Sequence, residues 1–363
     1  MSTPRQLNIL VCPLGWGLGH ASRVVPIVRL LLESGHRVVV AADANSLALV
    51  KSSCPYLETK FFPSYKVQFK RGSSQLLPML WVAIRLPFIN LREHRKLKKL
   101  VLENHIDLVI SDNRYGLWLR GIMSVMVTHQ LRVIPPRPFK FLTKASEILI
   151  RHWLKRFNHV WIPDNECAGS IAGVLSSPNG LTNIQYIGIL SRFSGIAPAS
   201  NFKTWEMVVM VSGPEPQRAL LVELAANLAH RYSIGCLVVE GKPQNGSELR
   251  VVDRIWYAGH LPDEQLAFVL RSCRYLLVRG GYSTIMDLVT LGISGLLIPT
   301  PGQTEQEYLA HYLSVKGLFR SVPQQCLPQL DLKEAERRSI PLHSEYSGSQ
   351  RLKSCVDGVV FRL

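Results

Sequence analysis

One stretch limits what this chain can fold into more than any other. It is Arg279-Gly-Gly-Tyr-Ser-Thr-Ile-Met-Asp287, followed past an apolar spacer by Pro301-Gly-Gln-Thr-Glu-Gln-Glu-Tyr-Leu-Ala310. Tyr275-Leu-Leu-Val278 is an apolar run of strand length ending in Arg279-Gly280-Gly281, with Ser283 and Thr284 where a helix starts. Such a turn gathers free backbone N–H groups and the positive end of a helix dipole at one point, which suits a phosphate. Asp287 falls about one turn into that helix, on the face that looks back toward the ligand. A second unit follows directly: strand Gly295-Leu-Leu-Ile-Pro299, a loop through Gln303, and a helix from Glu305-Gln306. Two adjacent strand ends then aim an acid, an amide and backbone donors into one crevice, as open α/β sheets do for nucleotides.

The rest of the chain is consistent with two such sheets. Its 363 residues favour two domains, and 47% hydrophobic residues are enough for two cores. No stretch reads as a transmembrane helix, and Met1-Ser-Thr-Pro-Arg-Gln runs straight into an apolar strand, which reads as no signal peptide. The seven cysteines lack Cys-x-x-Cys spacing and read as reduced thiols of a cytoplasmic protein, with neither a disulfide frame nor a metal site. A net charge of +16 fits an anionic substrate, an anionic membrane surface or nucleic acid, but no nucleic-acid motif is present.

At the start, Leu7 to Pro13 is a strand, Leu14-Gly-Trp-Gly-Leu-Gly-His20 a glycine loop, and Ala21 to Ser34 a helix with a Val/Ile/Leu face. With strand Arg37 to Ala41 this is an opening βαβ unit. The loop reads Gly17-x-Gly19-His20-x-x-Arg23, not Gly-x-Gly-x-x-Gly, although Asp43 keeps a dinucleotide reading open. His20, at the head of the helix, is a candidate base or a loop-packing residue. Strands Ile106 to Ile110 and Met123 to Val127 end in Asp112, Arg114, His129 and Gln130, which joins these residues to the same crevice. Leu76 to Ile84 is apolar, with Pro78 near its start and Pro87 just beyond its end, and Arg92 to Lys99 is a basic helical face. A similar apolar–basic pairing recurs at Phe139 to Lys144 and His152 to Phe157. This is the composition of a peripheral membrane contact, or of a buried helix beside a solvated one. Ser191 to Ser200 reads as a linker, and a second domain opens at strand Met207 to Val211 with the loop Ser212-Gly213.

The glycine turn with its acid and the later Gln303-x-Glu305-Gln306 together resemble the nucleotide-sugar signature of GT-B glycosyltransferases, the MurG-like enzymes above all. The loop Gly17-x-Gly19-His20-x-x-Arg23 is similar both to the first loop of those transferases and to that of a UDP-sugar hydrolase of pseudaminic acid synthesis. The resemblance implies an α/β, GT-B architecture: two Rossmann-like domains facing across a cleft. Residues 1–192 would hold the acceptor, 193–203 the linker and 204–363 the donor. It places Asp287 on the ribose, Glu305 and Gln306 on the donor sugar, and the base near His260 and Leu261. Arg279, Gly280, Gly281, Ser283, Thr284, Gln303, Ser212 and Gly213 complete the donor site. Gly17, Gly19, Arg23, Arg114 and Gln130 stand on the acceptor side, and His20 is the first choice for base, with Asp112 and His129 behind it.

The function expected is transfer of a sugar from a nucleotide sugar, a UDP-sugar by the same resemblance, to a glycan or lipid-linked acceptor. The reaction is inverting and needs no metal or other cofactor. The alternatives are a nucleotide-sugar hydrolase and a non-catalytic nucleotide-sugar-binding protein. GT-B chains usually send their last helix back to the first domain. Here Asp331 to Arg338 is helix-like and Ser344 to Gln350 a polar loop, which leaves that return open.

Overall fold

The computed structural model describes all residues except 1–4, 66–75, 167–168, 179, 214 and 342–348; for 76–83, 137, 138 and 140 it describes the backbone alone. The first domain alternates β1 (Asn8–Cys12), α1 (Leu18–Glu33), β2 (Arg37–Ala42), α2 (Ala44–Ser53), β3 (Glu58–Phe61), α3 (Leu76–Asn104), β4 (Leu108–Asp112), β5 (Met123–Val127), α4 (Thr143–Leu154), β6 (His159–Ile162) and β7 (Ile184–Tyr186). Its strands form one seven-stranded sheet in the order β3-β2-β1-β4-β5-β6-β7. Every pairing in it is parallel, with Ile9 beside both Val38 and Leu108. Both faces are covered, so β1 and β4 are buried along almost their whole length.

The second domain runs β8 (Met207–Met210), α5 (Gln217–Tyr232), β9 (Cys236–Val239), β10 (Arg250–Val252), β11 (Ile255–Ala258), α6 (Asp263–Ser272), β12 (Tyr275–Arg279), α7 (Tyr282–Leu291), β13 (Ile293–Ser294), β14 (Leu296–Ile298), α8 (Thr304–Val315), β15 (Arg320–Ser321) and β16 (Arg338–Ser339), and the chain ends in α9 (Ser349–Val360). Its main sheet is ordered β10-β11-β9-β8-β12-β14-β15, and only the β10–β11 pair is antiparallel.

In each sheet the strand order reverses beside the first strand, between β1 and β4 and again between β8 and β12. Loops that leave strands at such a switch point diverge and open a crevice. The sequence puts its glycine turns and polar strand ends there. His20 and Asp112 follow β1 and end β4, while Ser212-Gly213 and Gly280-Gly281 follow β8 and β12.

The domains touch through helices. α1 is buried on nearly all sides, with Ala21, Ser22, Arg23, Val24, Val25, Ile27, Val28 and Leu31 enclosed. It lies between its own sheet and α7. One apolar core cluster runs from Leu7 and Val28 in the first domain through Ile285 and Leu288 in the second. A Cβ on Gly19 would come within 3.0 Å of the Ser283 hydroxyl, so the starts of α1 and α7 are in contact across the domain boundary. The last helix does return: α9 packs on the first domain, with Leu352, Val356 and Val359 buried and Arg351 donating to the Asn165 side chain at 3.2 Å. Those buried residues are spaced four and three apart, one face of a helix, and each contributes up to about 1.5–3 kcal/mol.

α3 also differs from the sequence expectation. Leu76–Asn104 is one 29-residue helix that contains Pro87, not an apolar segment stopped by that proline and a separate basic helix. A mid-helix proline costs about 3 kcal/mol or more. Beyond it, Asn90, Glu93, Leu97 and Val101 form a buried stripe that holds the helix on the sheet.

Candidate active site

At the switch point of the first sheet the polar strand ends form one network. His20 sits in the first turn of α1, and its Nδ1 lies 2.6 Å from Asp112 Oδ1. Arg23, one turn on, grips the same carboxylate through Nε and through Nη2 at 2.7 Å. Asp112 is an acceptor, so His20 Nδ1 carries the hydrogen of their bond, and the lone pair stays on Nε2. The 3.1 Å approach of Arg23 Nη2 to that Nδ1 is then a contact between two donors. Burial opposes the Asp112 charge, but Arg23 and then His20 outweigh it and hold the carboxyl below its ordinary range.

Arg23 also donates to His129 Nδ1 at 3.1 Å, and His129 Nε2 lies 2.9 Å from Glu305 Oε1. Arginine can only donate, so Nδ1 is the acceptor and Nε2–H donates to Glu305. Burial lowers the His129 pKa against the pull of Glu305, consistent with a neutral imidazole. Burial likewise opposes the Glu305 charge, but the bond from His129 lowers its pKa on balance. Gln130 Nε2 donates to Glu305 Oε2, and the His129 ring stacks on Tyr282 at 4.0 Å between centroids. The strand ends of the first domain and the head of α8 in the second thus form one hydrogen-bonded chain. Of the three candidate bases, Asp112 and His129 have both polar atoms hydrogen-bonded, while His20 Nε2 has no partner among the described residues. The His20 side chain is 19% exposed against 0% for Asp112.

A second network lies where the ribose acid was expected. Asp287 is buried on α7, accepting from Ser191 Oγ at 2.6 Å on one oxygen and from Ser22 Oγ at 3.4 Å on the other. Arg192 approaches it at 3.7 Å and also faces Asp263 at 3.3 Å, while Arg29 of α1 reaches Asp263 at 3.0 Å. Burial pushes the Asp287 pKa up to about 6 despite Arg192 and Ser191. His260 is buried 3.4 Å from Ser52 Oγ, and burial, then Arg192, lowers its pKa to about 4.

The structure relocates several expected contacts. Arg114 does not face the crevice: it is buried on Glu93 at 2.8 Å, donates to the Phe62 carbonyl, and lies 4.2 Å over the Phe62 ring, so it fastens α3 to the sheet. Arg279 is fully enclosed and donates to the carbonyls of Ile298 and Gln217, fixing the end of β14 and the start of α5; burial lowers its pKa to about 10. It acts on those loops rather than on a diphosphate. Gln306 accepts from Thr300 N–H at 2.8 Å and braces its own loop, and the Leu261 side chain is in the apolar core. Asp43 is the N-cap of α2, bonded to the N–H groups of Asn45 and Ser46. Gly280, Gly281, Ser283, Thr284 and Gln303 stay at the heads of α7 and α8 as expected. Gly17 caps α1 without a side-chain bond, and Ser212 and Gly213 face it. Together with Trp16, Leu18 and Arg218 they line a cleft of about 160 Å3 between the domains. Trp16 is fixed by Nε1–H to the Tyr65 carbonyl.

Sequence reasoning missed Ser22, Ser191, Arg192 and Asp263. Ser191 and Arg192 stood inside a segment read as linker, and Asp263 is 234 positions from Arg29. Nothing in the local pattern marks such partners.

Comparison with known proteins agrees with this fold. Residues 264–346 match the family model "Glycosyltransferase family 28 C-terminal domain". The chain is 22% identical over 345 residues to an uncharacterized glycosyltransferase of Methanosarcina acetivorans, covering 90% of this chain and 88% of that protein. A counterpart from Methanosarcina mazei is likewise 22% identical, with the same coverage. Among solved structures, the spinosyn rhamnosyltransferase SpnG complexed with thymidine diphosphate superposes with a TM-score of 0.59 at 17% identity, covering 98% of this chain and 96% of that one. The two parallel-sheet domains are therefore a GT-B fold, and these likenesses together support a GT-B glycosyltransferase.

Proposed function

We propose that the protein transfers a sugar from a nucleotide sugar to an acceptor hydroxyl in the cleft between its domains, with inversion and without a resident metal. The observation that carries this reading is the meeting of two switch points. His20, which pairs with Asp112 of the first sheet, directly follows Gly19, whose Cβ position meets the Ser283 end of α7. A base and a phosphate-suited helix start share one place.

In this mechanism His20 Nε2 takes the proton of the acceptor hydroxyl while Asp112 holds Nδ1–H and stabilises the imidazolium. The acceptor oxygen bonds to the anomeric carbon as the bond to the diphosphate oxygen breaks, and the electron pair leaves with the nucleoside diphosphate. The starts of α1 and α7, each equivalent to roughly half a positive charge, stabilise that leaving group. Glu305, held by His129 and Gln130, reads the donor sugar, and Asp287 holds the ribose. The two serine hydroxyls now on Asp287, one per oxygen, stand where a ribose diol binds. Donor entry therefore requires α1 and α7 to separate, and closure rebuilds the Glu305 network around the sugar. The SpnG complex with thymidine diphosphate makes a thymidine-linked donor as natural a first trial as a uridine-linked one.

The acceptor reading extends to a membrane. Ile84, Phe88 and Leu91 of α3 and Phe141, Ile148 and Leu149 around α4 are exposed, and Arg92, Arg95, Lys144 and Arg151 stand among them. Apolar side chains among cations suit an anionic lipid surface. No helix among the described residues is long and apolar enough to cross a membrane.

The test is turnover with a panel of uridine- and thymidine-linked sugars, with and without anionic vesicles carrying a lipid extract, read by product analysis. His20→Ala is expected to lose about 10²–10⁴-fold in rate while nucleotide binding persists. Release of free sugar alone, with or without lipid, supports a hydrolase instead. Unchanged turnover in His20→Ala removes His20 as the base, and vesicle binding unchanged in Phe88→Ser with Phe141→Ser removes the membrane face.

A further inference from the structure

One cavity of this protein lies away from the catalytic network. It measures about 490 Å3, against about 160 Å3 for the cleft, and it lies at the carboxyl ends of β14 and β15. α8 separates the two. Its residue Glu305 faces His129 across the domain boundary, whereas Glu307, Ala310, His311 and Ser314 line the cavity on another face of the helix. Pro301 and Gly302, from the loop that leads to Glu305, form a second wall, and Ser321 to Gln325 form the third.

We propose that this cavity binds a neutral, hydroxyl-rich ligand, a saccharide of one or two rings, at a site separate from the donor cleft. The volume falls in the range of about 300–1,000 Å3 typical of small-molecule sites. Charge narrows the class. Although the chain carries a net +16, no lysine or arginine among the described residues lines this cavity, so no such side chain is placed there to hold a phosphate or carboxylate. Among the described residues Glu307 is its one acid, and one of its oxygens already accepts from Gly302 N–H at 2.8 Å, which leaves too few oxygens for a hard cation. What remains are hydrogen-bonding side chains (His311, Ser314, Ser321, Gln324 and Gln325) between apolar walls of Pro299, Pro301, Val322 and Pro323. Sugar rings present the same mixture, C–H faces edged by hydroxyls.

Gln324 makes the case specific. It is 8% exposed, and its side-chain Oε1 has no hydrogen-bond partner among the described residues and almost no accessible surface, so the amide has to turn toward the cavity to meet a ligand hydroxyl. A buried carbonyl oxygen left unpaired is costly, and a ligand hydroxyl that donates to it removes the cost. The three prolines hold their walls rigid, so little ordering opposes binding. A ligand here touches the loop before Glu305 without entering the cleft, so its binding does not depend on the donor reading.

Saturation-transfer NMR with glucose, galactose, N-acetylglucosamine, maltose, cellobiose and lactose tests the proposal on the full chain. At least one sugar is expected to bind with a millimolar dissociation constant. Gln324→Leu should weaken it about fivefold, and Ser314→Trp, on the exposed rim, should abolish it. The melting temperature and its shift with UDP or dTDP serve as fold and donor-site controls. The proposal is overturned if no sugar binds at about 10 mM, if binding survives Ser314→Trp in a folded protein, or if Asp287→Ala removes the sugar signal, which would place it in the donor cleft.

Discussion

Two polar clusters bridge the domains, and they are built differently. In the His20 cluster the Asp112 and Glu305 carboxylates each receive charged or imidazole donors at hydrogen-bond distance, and both are held as anions. In the Asp287 cluster the ion pairs to Arg192 are long, 3.3 and 3.7 Å, and Arg192 Nε and Nη1 and Asp263 Oδ1 lack hydrogen bonds among the described residues. There burial wins over the charge of Asp287. A satisfied network is rigid and preorganised, while a half-satisfied one stores a cost that a better partner can release. The first cluster suits groups that must be aligned before chemistry starts. The second suits groups that exchange serine hydroxyls for those of a ligand.

The largest effect expected comes from breaking the satisfied cluster. Arg23→Met leaves Asp112 buried without its guanidinium, and the stability measured by urea unfolding should fall by about 3–5 kcal/mol. A fall below about 1 kcal/mol would put Arg23 on the level of an exposed pair and erase the contrast.

The half-satisfied cluster should respond in the opposite direction. The Asp287 carboxyl titrates near 6 in the fold against 3.8 in the unfolded chain, so the fold retains a proton that the unfolded chain has lost. Its contribution to stability is complete below the unfolded value and is lost as pH rises through the folded value. Asp287→Asn, which keeps an acceptor and removes the charge, should therefore stabilise the protein by about 1–3 kcal/mol above that window and be nearly neutral below it. The variant should also lose nucleotide binding, stability gained at the expense of function. His260, with its pKa lowered to about 4, slopes the other way, since it must charge on unfolding in acid. Melting curves of wild type and variant across the acid range separate the two, because only the Asp287 part disappears in the variant.

A smaller effect sharpens the idea of exchange. If Ser22 and Ser191 occupy the ribose acceptors, Ser22→Ala with Ser191→Ala removes competitors and should tighten nucleotide binding about fivefold by calorimetry. Weaker binding would mean that the serines support the site instead of closing it.

Much of the frame was legible because it is local. The apolar runs at Leu7, Ile106, Met207 and Tyr275 are strands since each is short, β-branched or apolar and stopped by polar residues. The glycine turns mark strand-to-helix corners at both switch points, and the glycine at position 19 reports a close approach of α7. What stayed hidden depends on distant partners. Arg114 and Arg279 look like any strand-end arginines, but each turns inward because Glu93 or free carbonyls lie there. Pro87 reads as a stop, and only the packing of Glu93, Leu97 and Val101 shows why α3 runs through it. The return of α9 rests on a buried face of three residues behind a polar segment. Ser191 and Arg192 sit in small-residue surroundings that read as linker, yet they hold the acid on which the donor reading depends.

The donor site is checked first by the melting temperature of the purified protein against UDP, dTDP and their sugars, repeated with Asp287→Ala. A ligand that binds only the folded form raises the melting temperature in proportion to its excess over the dissociation constant, worth about 2.7 kcal/mol at a hundredfold excess. The account predicts a shift with at least one nucleotide or nucleotide sugar, absent in a folded Asp287→Ala protein. No shift with any of them at millimolar concentration, or a shift that Asp287→Ala leaves intact, would contradict it.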